Sequence, residues 1–226
     1  MIKKILHFKN KFYKRMELFY WRAVSLLYLK NNNDELKVII RRNRRFLSSI
    51  DNFLTFNEYE KNDYGIPKHI YQNINREINN RLTYSDLIIY LVQLFQDTRI
   101  NYLEIGVSVL KNFMQINNQL EDSNLVAYDI NNIVNKFSSD FTQTQRNTVR
   151  DFYQSKKGKN NIYYFKGDVL SNQDADNFEK INEFKYDFVM SDAMHTKEGI
   201  LSEYENIIKG KLNNKFILYY DDLDFP

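Results

Sequence analysis

From residue 101 onward the apolar residues gather into short runs, at 102–107, 125–130, 162–165, 186–190 and 216–220. Between the runs lie stretches of helical spacing, at 109–119, 132–154, 174–183 and 197–209. Short apolar runs bounded by polar residues suit strands buried on both faces, whereas apolar positions recurring every three or four residues suit helices. The pattern predicts β-α-β-α-β-α-β-α-β. This is an α/β fold, a doubly wound, Rossmann-like, mostly parallel sheet with helices on both faces. Ligands of such sheets sit beyond the carboxyl ends of the strands, near the point where strand order reverses.

The first hundred residues read as mostly helical. Residues 1–30 interleave Lys and Arg with Ile5, Leu6, Phe8, Phe12, Leu18, Phe19, Trp21, Leu26, Leu27 and Leu29, the spacing of an amphipathic helix. Asn31-Asn32-Asn33-Asp34 ends it, and Asp34 is placed to cap a second helix running to about residue 50. Residues 51–66 read as loop, and Pro67 opens a short helix to about residue 79. Thr83 with Asp86 resembles a capping box ahead of an apolar helix over 87–95. The chain thus divides into a helical N-terminal region, 1–98, and a sheet domain, 99–226. The apolar run at 23–29 falls far short of the roughly 20 residues that span a bilayer. No small-residue cleavage site follows a clean apolar core, so the expectation is a cytoplasmic protein with no transmembrane segment.

Composition narrows the chemistry. The absence of cysteine removes disulfides, thiolate metal sites and cysteine nucleophiles together, and histidine occurs only as His7, His69 and His195. Charge is unevenly spread. Residues 1–50 hold 13 Lys+Arg against 3 Asp+Glu, so the net charge of +3 divides into an arm at +10 and a body at −7. Arg41, Arg42, Arg44 and Arg45 could meet phosphates of nucleic acid or of a membrane surface. A solvated helix face that packs its apolar side on the body, or on a second copy, accounts for the arm more simply.

The predicted strand ends are acidic. The first ends Glu104-Ile105-Gly106-Val107-Ser108, where a glycine permits a tight turn and a close ligand. Ser108 and Lys111 stand where the dinucleotide fingerprint requires its second and third glycines, which disfavours a pyrophosphate ligand. Asp129 ends the second strand, 25 residues after Glu104, where a carboxylate can accept from both hydroxyls of a ribose. Asp168 follows the third strand and could accept from an exocyclic amine. Asp192, Asp221 and Asp222 follow the fourth and fifth, with His195 beside them. An all-oxygen set selects a hard cation such as Mg²⁺, and histidine suits a general base. The Asp221-Asp222 pair reads equally as surface carboxylates at a strand end, and His195 equally as a capping or solvent-facing side chain.

Leu103-Glu104-Ile105-Gly106-Val107-Ser108, Tyr128-Asp129, Gly167-Asp168-Val169, Asp192-x-x-His195 and Asp221-Asp222 resemble, in order and spacing, the class I S-adenosylmethionine-dependent methyltransferases over about residues 101–226. The Asp-x-x-His after strand four and the later acidic pair are similar to metal-dependent O-methyltransferases acting on sugar hydroxyls of macrolides and related compounds. The resemblance implies that Glu104, Gly106, Val107 and Ser108 line the methionine part of the cofactor. It places Asp129 and Ile130 at its ribose side, Asp168 and Val169 at its adenine, and Ser191 in the same pocket. It further implies Asp192, Asp221 and Asp222 as Mg²⁺ ligands, with His195 as base and Asp192 sharing in catalysis. The implied reaction is O-methylation of a small molecule or glycan.

Two departures from the family pattern stand out. Leu110 occupies the position of a further glycine, where it would crowd the methionine end of the pocket, and no two-stranded antiparallel edge follows the fifth strand. They keep open a non-catalytic binding or scaffold protein on the same fold. The basic arm keeps open an RNA methyltransferase.

Overall fold

The computed structural model describes residues 34–49, 84–93, 99–155 and 158–221. The helix expected over 1–30, the loop at 51–66, the helix after Pro67, Thr83, His7, His69 and Asp222 lie outside the described residues. Two helices precede the sheet, α1 (Asp34–Ser49) and α2 (Tyr84–Gln93). Next come β1 (Asn101–Ile105), α3 (Lys111–Gln119), β2 (Asn124–Asp129), α4 (Asn135–Ser138), β3 (Thr142–Gln143), β4 (Phe152–Ser155) and β5 (Asn161–Lys166). The chain continues through α5 (Asn172–Ile181), β6 (Tyr186–Ser191), α6 (Lys197–Glu203), a π-helical turn (Tyr204–Ile208) and β7 (Leu212–Tyr220).

The strands form one seven-stranded sheet in the order β3-β4-β5-β2-β1-β6-β7. β5, β2, β1, β6 and β7 are parallel to their neighbours, while β4 pairs antiparallel with β5 and β3 with β4. The expected Rossmann-like architecture is therefore present. From β1 the chain steps outward to β2 and β5, then returns to the other side of β1 for β6 and β7. Strand order reverses between β1 and β6, so the crevice of a doubly wound sheet lies above Ile105 and Ser191, which face each other in register.

Alternation along the strands sends side chains into two cores, as burial on both faces requires. Tyr102, Leu125, Ala127, Ile162, Tyr164, Phe188 and Met190 point to the face covered by α3, where Phe113 and Ile116 meet them. Leu36, Ile39 and Ile40 of α1 and Ile88, Ile89 and Val92 of α2 belong to the same cluster. Leu103, Ile105, Val126, Tyr128, Phe165 and Val189 point the other way, onto Phe178 and Ile181 of α5 and Ile207 and Ile208.

The basic cluster is split by this packing. Arg41, Arg42 and Arg45 are exposed, but Arg44 is buried, and its guanidinium grips Asp86 through Nη2 to Oδ2 at 2.7 Å and Nη1 to Oδ1 at 3.3 Å. Asn43 adds a bond to the same Oδ1 at 2.7 Å. Arg44 is thus committed to joining α1 to α2 and is withdrawn from any phosphate surface. The expectation of a four-arginine patch is corrected on that point.

A second correction concerns 132–154, expected as one helix. Only Asn135–Ser138 is helical, and the rest forms the β3–β4 hairpin. Arg146 and Val149 exchange both backbone bonds around Asn147 and Thr148, whose φ angles are +47° and +72°. Two successive residues at positive φ make the turn whose twist matches antiparallel strands. Phe152 then stacks on Tyr163 at 5.8 Å between ring centres, a cross-strand pair that favours sheet over helix. The sheet's antiparallel strands thus lie beside β5. Among the described residues no strand lies beyond β7. Nor is any described helix long and apolar enough to cross a membrane.

Candidate functional site

At the carboxyl edge, backbone pairing continues one residue past the strands. Gly106 N–H donates to Tyr128 O at 2.8 Å, Asp192 N–H to Ile105 O at 2.8 Å, Gly167 N–H to Asp129 O at 2.9 Å and Asp221 N–H to Ser191 O at 2.9 Å. The residues that leave each strand are therefore knit side by side, which brings Gly106, Asp129, Gly167, Asp192 and Asp221 to one rim.

Gly106 is at φ +82°, and a Cβ there would fall 2.4 Å from Asp192 O and 2.7 Å from Ala193 Cα. The sequence suggested a glycine that admits a ligand; its nearest neighbour is the backbone leaving β6. Two more residues of this turn are left-handed, Ser108 at φ +47° and Leu110 at φ +63°. Leu110 immediately precedes α3, and its side chain is wholly buried in the core shared by α1, α2 and α3. The positive φ gives the physical reason why a glycine suits this position, since a left-handed leucine costs roughly 1–2 kcal/mol.

Asp129 is buried and accepts three bonds. Its Oδ2 takes the Ser108 N–H at 2.7 Å, and its Oδ1 takes the Asn131 N–H at 2.8 Å and Asn131 Nδ2 at 3.0 Å. Ile130 beside it is 59% exposed, leaving an apolar side chain open at the rim. Asp168 accepts the Leu170 N–H at 2.9 Å, closing its own turn, while Leu170 is exposed. Val107 and Val169 place their side chains in the cores.

Glu104 lies beneath this rim on the α3 face. Its Oε2 accepts Tyr102 Oη at 2.6 Å and Asn112 Nδ2 at 2.9 Å. Burial pushes its carboxyl up to about 8, and the charges of Asp192 and Asp129 add to this against the two hydrogen bonds. At neutral pH Glu104 is a buried carboxylic acid facing two other acids, an environment that favours an incoming cation.

On the other side of the crevice Asp192 and His195 sit on the loop after β6. His195 is exposed, and its Nε2 lies 3.7 Å from Asp192 Oδ1, within ion-pair range but too long for a hydrogen bond. Asp221 Oδ1 accepts Tyr219 Oη at 3.3 Å. Among the described residues no group of three or more acidic or histidine side chains is placed to hold a metal ion. Asp192 and Asp221 alone do not make a Mg²⁺ centre, and the third implied ligand, Asp222, lies outside the described residues.

Sequence reasoning missed Glu203. It is wholly buried at the end of α6, where it accepts the Ser191 hydroxyl and the Met194 backbone N–H. Burial raises its carboxyl, opposed by those two bonds and by the nearby imidazole of His195. Ser191, expected to face a cofactor, turns its hydroxyl inward to this carboxylate. A signal was present. Gly199, Glu203 and Ile207 recur every four residues, so an acid stands on the buried stripe.

No family model matches the chain, and no curated protein matches it. Among solved structures it is similar to a Staphylococcus aureus protein assigned as a caffeoyl-CoA O-methyltransferase, at 19% identity and a TM-score of 0.43, covering 79% of this chain and 72% of that one. It is also similar to the SAH-bound methyltransferase PaMTH1 of Podospora anserina, at 16% identity and a TM-score of 0.36, covering 77% and 69%. At these values neither likeness decides an activity.

Proposed function

We propose that the chain is an S-adenosylmethionine-dependent methyltransferase that methylates a hydroxyl of a small molecule or glycan. The observation that carries this reading is the Ser108–Asp129 bond, which ties the glycine turn after β1 to the acid after β2 at the switch point. That corner offers a carboxylate with an exposed apolar neighbour, Ile130, to a nucleoside, and Asp192 offers negative charge to a sulfonium or ammonium group, with the neutral Glu104 acid buried beneath it. Asp168 and the exposed Leu170 extend the same edge toward a base.

S-adenosylmethionine supplies an electrophilic methyl group. The protein's part is to hold cofactor and acceptor in line and to take the hydroxyl proton, for which exposed His195 is the candidate; proximity supplies much of the rate. With cofactor and acceptor bound, His195 would take the proton that the acceptor hydroxyl gives up as its oxygen receives the methyl group in exchange for the bond to sulfur. No step here draws on a metal.

The scaffold reading rests on Leu110, whose side chain lies in the core shared by α1, α2 and α3 and is not open at the rim. The RNA reading is weakened by the burial of Arg44. Calorimetric titration with S-adenosylmethionine and S-adenosylhomocysteine, each with and without Mg²⁺, tests the proposal against the scaffold reading, and salt-dependent binding of RNA tests the RNA reading. Micromolar binding of either is the expected result. Absence of binding to both would overturn the proposal.

A further inference from the structure

The loop that carries Asp192 and His195 is held from two sides. On one side, Asp192 N–H is bonded to Ile105 O at 2.8 Å, and the Asp192–Ala193 backbone lies against Gly106 where no Cβ would fit. On the other side stands Glu203. It is wholly buried and reaches up from α6 to take the Ser191 hydroxyl before the loop and the Met194 N–H within it.

Three features show how closely the helix is built around this contact. Thr196 caps α6 by accepting the Gly199 N–H at 3.1 Å, which fixes the loop's far end. Gly199 leaves room for Met194, whose Cβ would lie 2.4 Å from any Cβ added there. The helix also changes from α to π immediately after Glu203, and π turns of this kind mark places where a helix is adjusted to a site. Glu203 Oε1 and Tyr220 Oη remain buried without partners. Such orphaned atoms are costly, so packing alone does not account for an acid at this place.

We infer that Glu203 is a positioning residue, which sets the place of His195 at the rim by bracing Ser191 and Met194 from beneath. The inference rests on the proposed function for its use of His195, but its test needs neither cofactor nor acceptor. Glutamine retains a carbonyl oxygen that can accept both bonds, whereas leucine fills the space and accepts neither.

The full chain and its Glu203→Gln and Glu203→Leu variants are compared by amide hydrogen exchange at Met194 and by the imidazole Cε1–H resonances. The three histidines make assignment simple, since His195→Asn removes one signal. In Glu203→Leu, exchange at Met194 accelerates at least about tenfold and the His195 resonance shifts, while exchange in β1 and β5 stays at the parent's rate. Glu203→Gln restores both readouts. Parent-like Met194 exchange and His195 resonance in a folded leucine variant would overturn the inference, as would equal loss in the glutamine variant. If the leucine variant fails to fold, Glu203→Asp decides, because it keeps the carboxyl group but withdraws the acceptor by one methylene; parent-like exchange there overturns the inference. Failure of the parent to bind S-adenosylmethionine would sink the function and leave these readouts standing.

Discussion

Ser108 N–H donates to Asp129 Oδ2 at 2.7 Å, across the junction between the turn after β1 and the end of β2. One carboxylate therefore shapes the turn and, on the proposed reading, receives the ribose. Asp129→Ala should lower S-adenosylmethionine affinity at least about 100-fold and cost about 1–3 kcal/mol of stability through its orphaned donors. Calorimetry and urea unfolding measure the two effects separately. Parent-like affinity would remove Asp129 from the pocket.

Glu104 gives the fold a pH dependence of defined sign. Its folded pKa of about 8 exceeds its ordinary value of 4.5, so between these values the native state holds a proton that the unfolded chain has released. Its contribution is full below about pH 4.5, falls as pH rises and levels off above about 8, with a ceiling of about 5 kcal/mol. Glu104→Gln should abolish that part of the slope. Urea unfolding at pH 5 and pH 8.5 checks it: the variant gains relative to the parent at the higher pH, and parallel behaviour would refute the assignment.

Arg44 and Asp86 form a buried pair, and removing one partner leaves the other charge without its counter-ion. Asp86→Ala should destabilise by about 3–5 kcal/mol, whereas Arg44→Met combined with Asp86→Leu should lose far less. A double-mutant cycle of Arg44→Met, Asp86→Leu and the two together, on thermal unfolding, measures the coupling. Equal losses would show that the pair matters only for packing.

Leu110 sets two magnitudes against each other. Leu110→Gly relieves a left-handed leucine, worth roughly 1–2 kcal/mol, but removes a wholly buried side chain, worth about 3–5 kcal/mol. The packing loss wins, so the variant is expected to be less stable by about 1–4 kcal/mol. Chemical denaturation tests this, and a stabilised variant would show the strain to be the larger effect.

The parts of the fold legible in the sequence were those where burial acts on every residue. β1, β2, β5 and β6 lie between two cores and read as mostly apolar runs, each found to within about two residues. The hairpin was illegible because Asn147-Thr148 carries no glycine to announce a turn at positive φ, and Thr142 and Gln143 are exposed. Arg44 looked like its neighbours because its partner is 42 residues away. At the rim, the acids after each strand were legible one by one. What each carboxylate touches was not, since Ser108 reaches Asp129 and Ser191 reaches Glu203 only once the strands lie side by side.

The π turn over Tyr204–Ile208 marks a place where the chain can lose a residue. Such a turn accommodates one residue more than an ordinary helical turn while keeping the downstream chain in phase. Deleting exposed Asn206 should let 197–208 close into a regular helix and leave Ile207 and Ile208 in the core. The shortened chain would keep the fold and show whether the acid at 203 can do without the surplus residue behind it.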